Sequence, residues 1–439
     1  MVRSATLLGS VALAFALPSS AAAQAPAEIA SETDGTGVAA AARAIVAERY
    51  VVPETAARLD AALAEAVRRG DFTALSGEAL AAKINAVMRT VTADGHLSVS
   101  WNPAMSAELA AAGPPQDGEE QMPAEFLRQI QRDNAGVRRL EVLPGNIRYL
   151  DYRGFWWGTP AAEQAIAAAM EFLRDGDALI IDLRNNGGGS PQAVAAMTSY
   201  FLPPDTALAR FESRGRPGEA SRTTATPFSL AGKPLFVLTS RSSFSAAEEF
   251  ATHVSAFGFG TLVGATTGGG GLNNEFFPLP GGLVISVSTG RPVHAVTGGD
   301  WEAVGVAPKI AVAPDKALVR AQVEASAAVL ATLSGAERAA GERQLAYYRA
   351  LETPVAPALP LAAYTGTYGD RTVEAVDGAL VMRRGNRPPA RLVALGPNLF
   401  APDAAPAQRV GFAIENGAVV ALELDNGQGP ASRVARQPA

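Results

Sequence analysis

Pro234-Leu-Phe-Val-Leu-Thr-Ser-Arg-Ser-Ser-Phe-Ser-Ala-Ala-Glu-Glu-Phe250 is the stretch that decides the fold. Pro234 to Thr239 reads as a buried strand, and a helix runs from Ser245 to Phe257, with a short polar loop between them. A serine at such a junction stands at a helix N-terminus, where backbone N–H groups point outward and the dipole favours negative charge. A tetrahedral oxyanion needs that environment. The same position is also where serines serve simply as N-caps, so Ser242, Ser243 and Ser245 have two readings on this stretch alone.

Upstream, Ile180-Ile-Asp-Leu-Arg-Asn-Asn-Gly-Gly-Gly-Ser190 repeats the strand-to-turn pattern. Its glycines let a backbone approach a ligand closely, and their N–H groups can complete an oxyanion hole. A plain tight turn fits equally well. The run lacks the Gly-Lys-Ser/Thr of a phosphate loop and the spacing of a dinucleotide fingerprint.

Working outward, Ile147–Tyr152, Ala178–Leu183, Thr261–Gly264 and Leu283–Ser288 read as strands, and 159–174 and 191–201 as helices. Strands alternating with helices imply an α/β layer fold. Pro144-Gly145-Asn146 reads as a hairpin turn. Residues 37–95 are helical in pattern, with Leu59, Leu63 and Val67 on one face, then Leu80, Ile84, Val87, Met88 and Val91, with Ser76 as an N-cap. Residues 314–352 are helical again. Beyond them, Asp377-Gly378 and Asn416-Gly417 are hairpin signals between short apolar runs. The expected units are a leader at 1–23, a helical domain at 24–101, and a linker with a short helix at 102–142. A catalytic core at 143–318, a helical connector at 319–355 and an antiparallel β domain at 356–439 follow. The β domain is expected to cap or dock rather than to bind a ligand.

Arg3, the apolar run Ala5–Leu17 and Ala21-Ala22-Ala23 form a leader pattern, with cleavage after Ala23 and export to the periplasm or beyond. No later run is long and apolar enough to span a bilayer, so no stable membrane insertion is expected after cleavage. The net charge of −6 gives no basic face for nucleic acid. There are no cysteines, which excludes disulfides, thiolate nucleophiles and Cys-ligated metals. No cofactor or metal is expected.

A serine nucleophile needs a base. Lysine is poorly supplied: only Lys83, Lys233, Lys309 and Lys316 occur, and none lies within the 60 residues after Ser245. Of the three histidines, His253 lies about 12 Å along the helix that Ser245 begins, too far for a hydrogen bond. His294 and His96 stay open, each with a purely structural role as the alternative.

Asp94-Gly-His96, Asp182-Leu-Arg-Asn-Asn-Gly-Gly-Gly189, Ser243-Phe-Ser-Ala-Ala-Glu-Glu249 and Asp300-Trp-Glu-Ala-Val-Gly-Val306 occur in this order over roughly residues 35–315. Together they resemble peptidase family S41, the tail-specific and tricorn-type proteases. The nearer likeness is to the branch related to interphotoreceptor retinoid-binding protein. The resemblance implies a ClpP/crotonase-like core and makes Ser245 the nucleophile. It implies Ala246 with Gly187 or Gly188 as oxyanion donors. Tail-specific members carry a lysine where this chain has Gly270. The tricorn-type arrangement instead matches His96 as base and Glu302 as its acid partner. Gly95 stands where tricorn-type enzymes carry a relay serine, so Asp94 is the second candidate to orient His96. About 50 residues separate His96 from Ile147, too few for a PDZ domain. The implied substrate is a peptide or unfolded protein. An apolar-ligand binder on the same fold and a serine esterase are the alternatives.

Overall fold

The computed structural model describes residues 34–112, 124–427 and 429–438. The expected leader lies outside them. Helices α1 (Gly35–Arg49), α2 (Pro53–Arg68) and α3 (Gly77–Arg89) form the N-terminal layer. Leu59, Leu63, Leu80, Ile84 and Met88 are buried as their spacing foretold, while Val67 and Val87 are only partly covered. Ser76 occupies the N-cap of α3 without a side-chain bond.

These helices do not close a core of their own. Their apolar faces pack on Leu97, Val99, Leu283, Ile285 and Val287. All but Leu97, which stands just before the first strand, belong to a five-stranded antiparallel sheet of β1 (Ser98–Trp101), β5 (Ala207–Ser213), β6 (Ala220–Arg222), β9 (Asn273–Leu279) and β10 (Leu283–His294). The expected boundary at 101 therefore cuts through a sheet. Strand β1 pairs with β10, so residue 98 and residue 286 are neighbours. Its outer edge is closed by Asn85, which bonds both the N–H and the C=O of Val99 at 2.7 Å. The stretch at 102–142 holds helices α4 (Pro103–Ala112) and α5 (Ala124–Arg132), and most of strand β2 (Val137–Leu143).

The second sheet has six strands in the order β11-β8-β7-β4-β3-β2. Here β3 is Ile147–Tyr152, β4 Ala178–Asp182, β7 Leu235–Thr239, β8 Thr261–Gly264 and β11 Ile310–Ala311. All pairs but β2–β3 are parallel. Strands β4 and β7 are buried along their whole length, which explains their unbroken apolar sequences. Helices α6 (Pro160–Arg174), α7 (Pro191–Thr198) and α8 (Ala246–Phe257) share one hydrophobic cluster with this sheet. Helices α9 (Ala317–Leu330) and α10 (Gly335–Glu352) share another. This is the expected α/β core.

The C-terminal strands β12 (Gly366–Tyr368), β13 (Arg371–Val376), β14 (Ala379–Arg384), β15 (Ala390–Ala394), β16 (Leu399–Pro402), β17 (Arg409–Glu415), β18 (Ala418–Asp425) and β19 (Ser432–Ala435) pair in sequence order. A Tyr368–Arg436 bridge and the Gln437 N–H to Thr367 C=O bond at 2.9 Å bring the last strand back to the first. The interior is filled by Tyr364, Tyr368, Phe400 and Phe412, among others. The hairpin turns at Asp377-Gly378 and Asn416-Gly417 have positive φ at both residues, as that turn chemistry requires. Ala401, with Val393 and Leu395, joins the α9–α10 cluster and docks the barrel on the core.

Helix α8 carries a buried polar chain on its inner side. The His294 Nδ1 accepts from the N–H groups of Val296 (3.1 Å) and Thr297 (3.3 Å), so its Nε2 carries the proton and donates to His253 Nδ1 at 3.0 Å. His253 Nε2 then faces Glu249 Oε1 at 3.5 Å. Burial drives His253 down to about 3 and His294 to about 4, the latter also through the neighbouring His253, and it drives Glu249 up to about 8.

Two outcomes follow from this packing. Leu63→Ala is expected to lower stability by about 3 kcal/mol in urea unfolding, because its site is fully enclosed. For the polar chain, the unfolded state releases the Glu249 proton near 4.5, but the folded state holds it to about 8, so this group takes stability away as pH rises across that window. The two histidines act in the opposite sense, removing stability as pH falls from 6.5 toward about 4. Glu249→Gln should therefore gain on the wild type progressively between pH 5 and pH 8. An offset in urea midpoint that is equal at both values would contradict the assignment.

Candidate active site

Strands β4 and β7 are adjacent and parallel, with Asp182 beside Leu238. Their carboxyl ends release two loops side by side, the usual place for a site in such a sheet. The loops are stitched together by serines. Ser243 Oγ donates to Leu183 C=O at 2.7 Å and Ser240 Oγ to Arg184 C=O at 2.5 Å. The Phe244 N–H donates to Asn186 C=O at 3.0 Å. Ser243 is thus consumed in structure, and Ser242 is exposed.

Ser245 differs from both. It occupies the N-cap of α8, in a capping box with Glu248. Its φ of 54° and ψ of −121° are costly for a residue with a Cβ, by about 1–3 kcal/mol. Gly188 lies against it so closely that a Cβ there would stand 2.6 Å from Ser245 Cβ. Among the described residues, no partner takes the N–H of Ala246 or of Gly187. The Gly188 N–H is already given to Asn186 Oδ1 at 2.9 Å. Of the expected donors, Ala246 and Gly187 are therefore available and Gly188 is not.

The strained turn is held by Glu248, whose importance the sequence reading missed. Its carboxylate is fully buried and receives four donors. These are the N–H groups of Ser245 (3.0 Å), Gly269 (2.7 Å) and Gly270 (2.7 Å) and the hydroxyl of Thr267 (2.5 Å). Burial pushes this carboxyl upward, and the four hydrogen bonds pull it back. Every contact is a donor, which suits the ionised form. The Ser-x-x-Glu spacing of a capping box is the signal that could have found it.

Glu302 continues the same device. Its Oε2 accepts from Gly271 (2.6 Å) and Leu272 (3.1 Å), so two carboxylates take four consecutive N–H groups of the glycine loop. Glu302 also lines a cavity of about 260 Å³ with Tyr50, Asp94, Arg291 and Asp300. Burial, and then the nearby Asp94 charge, raise Glu302 to about 7.

His96 comes from the N-terminal layer. Asp94 fixes its backbone: Oδ1 accepts from the N–H of His96 (2.8 Å) and Leu97 (3.3 Å), and Oδ2 from Tyr50 (3.0 Å) and Ser288 (2.6 Å) hydroxyls. The imidazole packs on Phe244, the residue before Ser245, with ring centroids 4.7 Å apart. Its Nδ1 is buried without a partner. Burial lowers the imidazole below its usual value, and the Asp94 charge opposes this.

The structure thus brings His96 against the Ser245 turn and sets Asp94 and Glu302 on one cavity. No hydrogen bond joins Ser245 to His96 or His96 to Glu302, and Asp94 is the carboxylate whose charge acts on the imidazole. His253 and His294 are committed to each other, which removes His294 as an alternative base. Among the described residues, no group of three or more His, Asp or Glu side chains could hold a metal.

The model described as peptidase family S41 matches residues 146–312, and that of the N-terminal domain of peptidase S41 in eukaryotic IRBP matches residues 21–135. A carboxyl-terminal-processing protease of Synechocystis sp. is 33% identical over 196 residues, 43% of each chain. That of Picosynechococcus sp. is 32% identical over 121 residues, 27% of this chain and 28% of its own. The chain therefore matches less than half the length of these relatives. Among solved structures, the photosystem II D1 C-terminal processing protease aligns with a TM-score of 0.39 at 16% identity. That alignment covers 64% of this chain and 94% of the other. The two models lie in succession over the N-terminal layer and the α/β core, and these parts of the chain are those of peptidase family S41.

Proposed function

We propose that the protein is a serine peptidase acting on peptides or unfolded protein, with Ser245 as nucleophile and His96 as general base. One observation carries this reading: a serine on a strained turn at a helix N-terminus, beside the unbonded N–H groups of Ala246 and Gly187. Ser245 Oγ attacks the scissile carbonyl carbon, and its proton passes to His96 Nε2, the nitrogen opposite the buried Nδ1. The oxyanion is received by the two free N–H groups. When the C–N bond breaks, His96 returns the proton to the leaving amine. Water then attacks the acyl-enzyme, gives a proton to His96, and the carboxylic acid product leaves with Ser245 restored.

Glu302 is the third member, through its second oxygen, with Asp94 holding the His96 backbone. The family membership supports this role, as does the shared cavity of the two carboxylates. The leader pattern at residues 1–23 supports action outside the cytoplasm. No helix among the described residues is long and apolar enough to cross a membrane. The apolar interior of the barrel and its docking on α9 and α10 support its reading as a docking module.

A fluorophosphonate probe is expected to label the wild type at Ser245, and Ser245→Ala to abolish labelling. His96→Ala should slow it by roughly 10²- to 10⁴-fold. Since the imidazole sits below its ordinary value, the acid limb of the labelling rate should be set by Glu302, rising with pH through about 7. Glu302→Gln should remove that rise. Comparing p-nitrophenyl esters with peptides separates an esterase from a peptidase. Well-folded wild type that neither labels nor cleaves any peptide would sink the reading.

A further inference from the structure

Phe244 lies where three glycines converge. A Cβ on Gly270 would stand 2.2 Å from Phe244 Cζ, one on Gly268 2.7 Å from Cδ2, and one on Gly95 2.8 Å from Cζ. Such approaches are impossible for real side chains, so the ring rests directly on bare backbone at three points. The ring also meets the His96 imidazole, tilted by 36° with centroids 4.7 Å apart. The Phe244 backbone is clamped at both ends: its N–H donates to Asn186 C=O at 3.0 Å, and its C=O accepts from Ala247 N–H at 3.1 Å. One residue on, the Ser245 turn is fixed by Glu248. The direction of the ring and that of the Ser245 hydroxyl are therefore set by one rigid piece of chain.

We propose that Phe244 is a positioning residue for His96: its ring, seated on Gly95, Gly268 and Gly270, fixes the imidazole plane beside Ser245 and keeps water from Nδ1. This rests on the peptidase reading for its consequence in catalysis, but not for its geometry. The charged group facing the imidazole is Asp94, from its own loop. Tyr50, at the end of α1, and Ser288 of β10 face the Asp94 carboxylate, and Glu302 faces it across the cavity. None of these contacts holds the imidazole plane. Apolar ring contact is what does so, since the buried Nδ1 has no hydrogen bond to fix it. The same ring fills the space into which any side chain at 270 would grow, so histidine at 96 and glycine at 270 are linked through Phe244.

The chain has only three histidines, which allows a direct test. Imidazole ¹⁵N resonances of the full chain are followed against pH, with His96→Gln assigning one set and His253 and His294 serving as internal controls. Phe244→Ala is expected to raise the His96 midpoint toward the ordinary 6.5 while the other two stay in place. Fluorophosphonate labelling of Ser245 should slow by roughly a hundred-fold, as misplaced catalytic groups do. Phe244→Leu, which keeps apolar bulk, should move both readouts in the same direction by less. Gly270→Ala, which must displace the ring, should reproduce Phe244→Ala with Phe244 intact. Damage to the fold would move all three histidines together. Folded Phe244→Leu and Gly270→Ala with the wild-type His96 midpoint and labelling rate would overturn the proposal. An unlabelled wild type would instead sink the peptidase reading, and the titration alone would then decide the Phe244 contact.

Discussion

The buried Glu248 carboxylate is the interaction on which the site depends. It binds the N–H of Ser245 and two N–H groups of the glycine loop at 2.7–3.0 Å, and it accepts the Thr267 hydroxyl. A charge so placed would be costly without partners, and four donors offset that cost. It also gives a single-residue strain at Ser245 a reason to persist, since relaxing the turn would strip the carboxylate of one donor. Thr267 Oγ1 in turn accepts the Val306 N–H at 2.7 Å, so the chain beyond Glu302 is fastened to the same point.

From this anchor the site reaches into three parts of the sequence. Ser245 comes from the end of β7, Glu302 from the loop beyond β10, and His96 from the edge of the N-terminal layer. The last is positioned by sheet pairing: β1 follows His96 directly and is registered on β10, while Ser288 of β10 bonds Asp94. The apolar cluster beneath α1, α2 and α3 is thus what holds His96 at the core, and a loosened bundle would disturb the site without touching it.

Much of this was legible in the sequence. Strands β4 and β7 announced themselves because burial on both faces demands unbroken apolar runs. The turns at Gly145-Asn146, Asp377-Gly378 and Asn416-Gly417 were fixed by local chemistry, and the structure gives each positive φ. The sheet of β5, β6 and β9 was not legible. Strand β5 finds β10 far along the chain, β6 is only three residues long, and β9 carries Pro278 and half-exposed Phe276, which blur its alternation. The helix of 103–112 was hidden in a stretch read as linker. At the site, residue types alone left Ser245 between cap and nucleophile and His96 beside His294, and the resemblance to peptidase family S41 is what pointed to Ser245, His96 and Glu302. What no local pattern could give was the competition for donors: Asn186 takes the Gly188 N–H, and Glu302 spends one oxygen on the glycine loop. Nor could it give the contact of Phe244 with His96, 148 residues distant in the chain.

The most direct measurement is acylation of Ser245 itself. Full-length wild type and Glu248→Gln would be mixed with an activated peptide ester, quenched in acid, and the acyl group located by peptide mass mapping. The account expects acyl-Ser245 to accumulate in the wild type and to form far more slowly in a folded Glu248→Gln variant. An acyl group on another residue, or equal acylation of Ser245 in both proteins, would contradict it.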